Sequence, residues 1–570
     1  MNRPLHPGLE PDDSTDVLGR ARREQSRFER RRIPYLRSTF AGRGGSCDEI
    51  VGRFCTWYDE GDWVPEPEAP EIVELRADLL VYLDSVQALL PGDAWLLGQR
   101  VWYQSEGGRW GEALRTARAC GRVVSWWCGA LEGFALHGLG RFVEAERRFR
   151  EALDDMEPDQ AAAWRTPRRA VDGDARDLLD EEGEAGSHAL RALWMLGDPL
   201  YLVPGNDRVT EHYARWTVST IRERARNPFQ IRWARDLEEL TIRHGWELGW
   251  ERDRDRPMDR SAGNGVVGHK HPDGRDFLPP GSVLADPAGA RAEDLVPDRS
   301  RPRSLYAPSY APVLLPMGGQ VAVFPRGDRF TVVATYFVPP DTTWHARHER
   351  ERPWMDAGRD AGVPDQAAVF LVSAEQGRDF QSARAAGGVP GAALVAAPSG
   401  AYVLSVEAWS PSRRIAGRYR SGLRQDTVPP DVATLSGLLL VRGGGPEPRS
   451  LDAAAEQVLI RPEITRGETL GVVWELGGVG WRPETITYRL TVDRADRGVV
   501  RRLGERLGIV GPDQSLALSW EEPGPDRPGG QLRWADLELP PLEDGAYRVR
   551  LEADLPGRTA LRSESIFSVR

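Results

Sequence analysis

Lysine is nearly absent from this chain: Lys270 is the only one among 75 basic residues, so positive charge rests on arginine. Acidic residues number 86 and the formal net charge is −11. Such a chain lacks the overall basic footprint that releases counterions from nucleic acid or an anionic membrane, and neither partner is expected. No apolar run approaches the ~20 residues that span a bilayer, so no transmembrane helix is expected. The opening stretch, Met1 to Arg32, holds no apolar core of a signal peptide. Several catalytic signatures are missing too. There is no G-x-S-x-G elbow, no G-x-x-x-x-G-K-[ST] phosphate loop and no H-E-x-x-H helix. Gly443 to Gly445 runs into Pro446, which suits a linker better than a phosphate loop.

Cysteine is scarce, with four residues in two pairs of equal spacing, Cys47 with Cys55 and Cys120 with Cys128. Within one helix that spacing separates Cα atoms by ~12 Å, beyond the ~7 Å limit for a disulfide. A bond inside a pair therefore needs a turn, which Gly121 can supply after Cys120. Four cysteines allow three pairings, and buried thiols and disulfides both stay open. A zinc site is the weaker reading, because neither pair has the short C-x₂₋₄-C spacing.

At 570 residues the chain exceeds a single core, and ~150 residues per domain suggests three or four domains. Its 44 prolines and 60 glycines concentrate after residue 255, which points to strands and turns in the C-terminal half. Residues 1–45 read as a polar arm whose basic cluster, Arg20 to Arg32, is a solvated helix or disordered segment, with docking of an acidic partner as the other reading. Residues 46–170 read as helical, with Ile72, Leu75, Leu79, Leu80 and Leu83 at three- and four-residue intervals. Residues 257–308 read as a linker or long loop, and 309–445 and 451–570 as two antiparallel β-sandwiches built from short alternating runs. The expected fold class is thus multidomain α+β, with an N-terminal helical array, a small α/β module and two C-terminal sandwiches.

Two resemblances refine this outline. Gly133, Ala145, Phe149 and Ala152, with a turn at Gly140-Arg141, fall at the small and aromatic positions of the tetratricopeptide repeat. An earlier unit carries Ala113 and Ala117 after Gly107-Gly108-Arg109. Small residues recur there because paired helices approach closely only where side-chain volume is minimal. Residues 186–256 resemble the bacterial GWxTD domain in the order of their features. These are Asp198-Pro199, Asn206-Asp207, the helix Glu211-His212-Tyr213-Ala214-Arg215, and then Arg232 to Asp236, where only Trp233 and Asp236 of the signature are kept. Asn206 or Asp207 is the expected N-cap of the helix, and Ile231 to Trp250 the expected small strand and turn, with two packed indoles in Gly245 to Trp250. The GWxTD resemblance implies an exported protein, and tandem sandwiches suit an extracytoplasmic setting.

Candidate chemistry is sparse. Glu211, His212 and Asp236 form either an acid/base cluster or a structural network tying helix to strand, the latter being the expectation. His269 and His271 with Asp273, together with His345 and His348, have spacings that can hold a metal and give the alternative of a metal-dependent hydrolase. Twenty tryptophans raise a second alternative, an envelope carbohydrate-binding protein, although burial is the default for indoles. The leading expectation is a non-enzymatic interaction or scaffold protein without cofactor, binding a peptide or protein partner through the concave face of the helical array.

Overall fold

The computed structural model describes residues 11–39, 48–56, 66–253, 265–298, 303–338, 365–375, 380–385, 391–495 and 516–570. They divide into two compact units, Met1–Ala285 with Pro297–Pro312, and Asp286–Val296 with Val313–Arg570. The architecture is multidomain α+β, helices first and sheets after.

The helices of the first unit are α1 (Pro11–Arg31), α2 (Pro70–Leu89), α3 (Ala94–Glu106), α4 (Trp110–Arg118), α5 (Ser125–Gly138), α6 (Phe142–Asp155), α7 (Pro158–Arg165), α8 (Gly173–Leu179), α9 (Glu184–Gly197), α10 (Asp207–Glu223) and α11 (Arg235–His244). Helices α2 to α6 each pack on the next in sequence. The α5–α6 contact depends on missing side chains: a Cβ at Gly129 would stand 3.0 Å from that of Ala152, and one at Gly133 2.9 Å from the Phe149 ring. Ala145, Phe149 and Ala152 are buried in the same core.

Four features of this unit bear on the expectations from sequence. The N-terminal arm is a packed helix. Val17, Ala21 and Phe28 recur at helical spacing and enter the core, which leaves only the opposite face, with Arg20, Arg23, Arg27 and Arg30, in solvent. Arg32, at 0% exposure, is bonded to Glu106 (3.0 Å) and lies 3.4 Å from Glu29. Secondly, the chain's own α10 packs on α3, α5 and α6. Gln99 Nε2 donates to the Ile221 carbonyl (3.0 Å), and a Cβ at Gly98 would stand 3.5 Å from Ile221.

Thirdly, the stretch after Ile231 contains helix α11 where a strand was expected. Leu237, Leu240 and Thr241 are buried at i, i+3 and i+4, with acidic Asp236 and Glu238 in the first turn. A strand follows only at Gly249–Asp253, pairing with Arg37–Thr39 and Val266–His269. Lastly, the described part of 257–308 is not a free linker. Its few apolar residues are anchors, since Val266, Phe277, Val283 and Leu284 are all buried.

In the second unit a three-stranded sheet (391–398, 329–336, 321–326) faces a five-stranded sheet ordered 380–385, 366–373, 400–410, 415–425, 313–316. Phe330, Val332 and Ala334 meet Val369, Leu371, Leu404 and Val406 between them. A second sandwich sets strands 434–435, 470–479, 439–442 and 529–537 against 463–464, 561–569, 545–554, 485–494 and 516–523. Its core holds Trp474, Tyr488, Leu490, Val549 and Phe567. Val333 and Phe324 pack in turn on Leu439, Val441 and Val473, so strand 329–336 is buried on both faces and loses clean alternation. The boundary expected at Gly443 to Glu447 moves upstream, because strands 434–435 and 439–442 already pair with 470–479. The glycine run is a turn inside the second sandwich, where the Gly443 amide bonds Thr469 O.

Candidate functional site

Helix α10 carries the densest set of chemically able residues. Asn206 caps it through a 3.1 Å bond from the Val209 amide, and its amide nitrogen donates to Trp194 O (2.6 Å). Asp207, Arg208, Thr210, Glu211, His212, Arg215 and Arg222 are all buried, so each must find a partner or shift its protonation.

Glu211 accepts from Arg215 Nε (2.7 Å), and its other oxygen lies 2.7 Å from His137 Nε2 on α5. Burial pushes this carboxyl up, but Arg215 and His137 outweigh it and hold it down at about 2. Arg215 Nη1 donates to the carbonyls of Ile242 (3.1 Å) and Arg243 (2.8 Å), two of the orphan acceptors at the end of α11. Nη2 reaches Leu305 O. Gly245 makes room for the guanidinium: its φ is +78°, and a Cβ there would sit 3.3 Å from Nη2.

His212 points elsewhere. Its Nε2 donates to Trp164 O (2.7 Å), while Nδ1 has no partner, so the ring is neutral, and burial lowers it to about 3. Tyr213 packs on Phe149 with ring centroids 5.5 Å apart, and burial raises its phenol to about 12. Asp207 accepts from the Tyr306 (2.5 Å) and Tyr310 (3.2 Å) hydroxyls; burial dominates and lifts its carboxyl to about 6. Arg208 bonds Ser304 Oγ. Burial, with Arg215 nearby, lowers it to about 10.

Asp236 belongs to a separate tie. It accepts from Arg53 Nε (2.5 Å), Arg53 Nη2 (2.7 Å) and the amides of Arg53 (3.2 Å) and Leu237 (2.8 Å), fixing hairpin 49–56 to the start of α11. Glu211, His212 and Asp236 therefore have three unrelated sets of partners. Trp233 lies nearby in sequence, with a buried indole nitrogen that has no partner. Asp198 closes a turn by accepting from the Leu200 amide (3.2 Å), between α9 and Pro199.

His269 Nε2 lies 3.1 Å from Glu251 Oε2, and His271 Nδ1 accepts from the Asp273 amide (3.2 Å). His345 and His348 lie outside the described residues, among which no group of three or more His, Cys, Asp or Glu is placed to hold a metal ion. Cys120 and Cys128 are joined across the Gly121 turn, with Cα atoms 5.8 Å apart. Cys55 is also disulfide-bonded, and Cys47 lies outside the described residues.

Several members of these networks gave no sequence signal. His137, Arg208 and Glu247 sit in ordinary helical or turn contexts. Lys270 was visible as the sole lysine, and it bonds Glu247 (2.8 Å), which also takes Arg222 (2.6 Å). The line Thr210, His137, Glu211 has the hydroxyl–imidazole–carboxylate order of a nucleophile relay, with Thr210 Oγ1 2.9 Å from His137 Nδ1. Thr210, however, is 0% exposed, and its hydroxyl also donates to Asp207 O (3.1 Å). What this arrangement does is join α5, α10, α11 and residues 304–310.

No family model matches the chain, and no curated protein matches it. Among solved structures it is similar over 45% of its length to a red sea bream transglutaminase, at 9% identity and a TM-score of 0.15, covering 31% of that chain. A Bacteroides uniformis β-glucuronidase aligns over 43% at 13% identity and 0.16, covering 26% of that chain. A Salmonella α-2-macroglobulin aligns over 44% at 12% identity and 0.14, covering 16% of that chain. The chain spans less than a third of each of these proteins, and likeness at such TM-scores carries no argument about fold or function.

Proposed function

We propose that this chain is a non-enzymatic interaction or scaffold protein, a divergent relative of bacterial GWxTD-domain proteins whose N-terminal helices follow the tetratricopeptide pattern. On this reading the helical array holds the Glu211 to Arg215 helix, and a protein or peptide partner docks on the outer surface of the array. The observation that carries it is the use of the polar residues of α10. Glu211 is spent on Arg215 and His137, His212 on a main-chain carbonyl, and Arg215 on the end of α11. A catalytic acid or base must instead reach a substrate proton at hydrogen-bond distance.

The test is crosslinking of the native protein in its own cells, followed by mass spectrometry. Recurrent crosslinks from the helical unit to one protein partner are expected. A turnover found in the purified chain and abolished by Glu211→Gln or His212→Gln, with the fold intact, would overturn the reading.

A further inference from the structure

Although the chain is acidic overall, one surface of the helical unit is basic. The outward face of α1 carries Arg20, Arg22, Arg23, Arg27, Arg30 and Arg31, all exposed. Part of that charge is neutralised locally, since Arg20 and Arg23 share Asp16 and Arg27 takes Glu24. The rest is not. Along one side of α1 runs the loop after α10, pinned by Gln25, whose amide nitrogen donates to Arg226 O (2.8 Å) and whose oxygen accepts from the Arg226 amide (3.0 Å). Gln230 continues the seam by donating to Glu29 O (3.2 Å).

The pinning holds Arg226 against α1 beside Gln25, and Arg224, two residues before it, is likewise exposed. Half-buried Trp95 lies at one end of the seam. The Arg22 guanidinium stands 5.5 Å over its ring, and its indole nitrogen donates to Arg224 O (3.1 Å). Among the described residues none of Arg22, Arg30, Arg224 and Arg226 has a carboxylate at ion-pair distance. Exposed Glu223 precedes Arg224 in the chain.

From this we infer that the seam between α1 and residues 224–230, with Trp95, docks a short acidic segment of a partner protein. The choice rests on charge and chemistry. Arginine forks bind carboxylates bidentately, and unpaired guanidiniums gathered on rigid elements are arranged for that geometry. The indole face offers an aliphatic or aromatic neighbour a place to pack. A long polyanion is disfavoured, because the rest of a chain at −11 repels it while a short acidic peptide meets only the seam. The inference rests on the interaction reading above and names the partner's chemistry.

Fluorescence anisotropy of the full chain with a fluorescein-labelled oligoglutamate peptide tests it. Saturable binding that weakens with added salt is expected, as is a loss of about tenfold or more in affinity for the double variant Arg22→Glu/Arg226→Glu. These side chains are exposed, so the variant should melt with the wild type, and the control Arg449→Glu should bind normally. Equal binding by wild type and double variant, equal loss in the control, or tighter Arg22-dependent binding to phosphatidylserine vesicles or duplex DNA would each overturn the proposal. If the peptide fails while native crosslinks map a partner to another surface of the helical unit, the seam falls and the interaction reading stands. If a turnover is found while peptide binding persists, the reverse holds.

Discussion

Glu211 Oε2 lies 2.7 Å from His137 Nε2, closing a contact between two helices seventy-four residues apart in the chain and bridging on to Arg215. All three side chains are buried, so the carboxylate is the charge that makes a buried guanidinium tolerable. A lone buried ion is far costlier than a pair, and removing one partner costs more than the pair contributes.

Glu211→Gln is therefore expected to destabilise the helical unit by about 3–5 kcal/mol. It keeps the side-chain shape but removes the charge facing Arg215. Urea unfolding followed by tryptophan emission reads the effect. A midpoint like that of the wild type would show that Arg215 is satisfied by carbonyls alone.

His212 predicts a pH dependence of definite sign. Its folded pKa of about 3 lies below the ordinary 6.5, so on acidification the unfolded chain takes up a proton that the folded ring refuses. Stability from this group is complete above pH 6.5 and is lost as pH falls toward 3, at up to about 1.4 kcal/mol per pH unit. Asp207 works the other way. Raised from 3.8 to about 6, it favours the folded state at low pH and costs stability as pH rises through that interval. Unfolding midpoints of wild type and His212→Gln between pH 4 and 7 should diverge toward neutral pH, the variant showing the flatter acid limb. Parallel curves would mean that His212 takes its proton in the folded state as readily as in the unfolded one.

The Cys120–Cys128 bond closes a short loop, with a sequence separation of 8. Chain-entropy arguments give such a loop about 2–3 kcal/mol. Reduction, or Cys128→Ser, should lower the melting temperature of the helical unit. Unchanged melting under reducing agent would place the α4–α5 turn wholly under the control of packing.

Much of the fold was legible where the signal is local. Asn206 caps α10 because a short side-chain oxygen can accept from an amide three residues on, and that signal lies within four residues of sequence. The sheets of the second unit follow from alternation between turns. Helix α11 is ambiguous in the sequence because Leu237 and Leu240 to Ile242 form a short apolar run that fits either period. The basic cluster before Arg32 hid the apolar stripe Val17, Ala21 and Phe28 beneath its charge. The partners of the long-range polar ties were not legible. Arg53 meets Asp236 across 183 residues, and Gln25 meets Arg226 across 201. No periodicity or spacing encodes such pairs, since only the tertiary fold sets their distance.

Asp236 is the residue at which a catalytic reading and a structural one make different demands. As a catalytic carboxylate it would need its charge and little else, so Asp236→Asn would remove activity and leave the fold nearly intact. In the structure it accepts four hydrogen-bond contacts, three of them from Arg53, and Arg53 holds its carboxyl below the usual carboxylate range. An amide in its place can accept through one oxygen only and turns a donor toward Arg53. The pair is partly exposed, so the loss is expected to stay at about 1–3 kcal/mol. A double-mutant cycle with Arg53→Gln separates the cases. If Asp236 ties hairpin 49–56 to α11, the two single changes should cost more in sum than the double change, and hydrogen exchange should rise across 49–56 in all three variants. Additive costs with unaltered exchange in the hairpin would release Asp236 from its structural role and return it to the list of candidate catalytic groups.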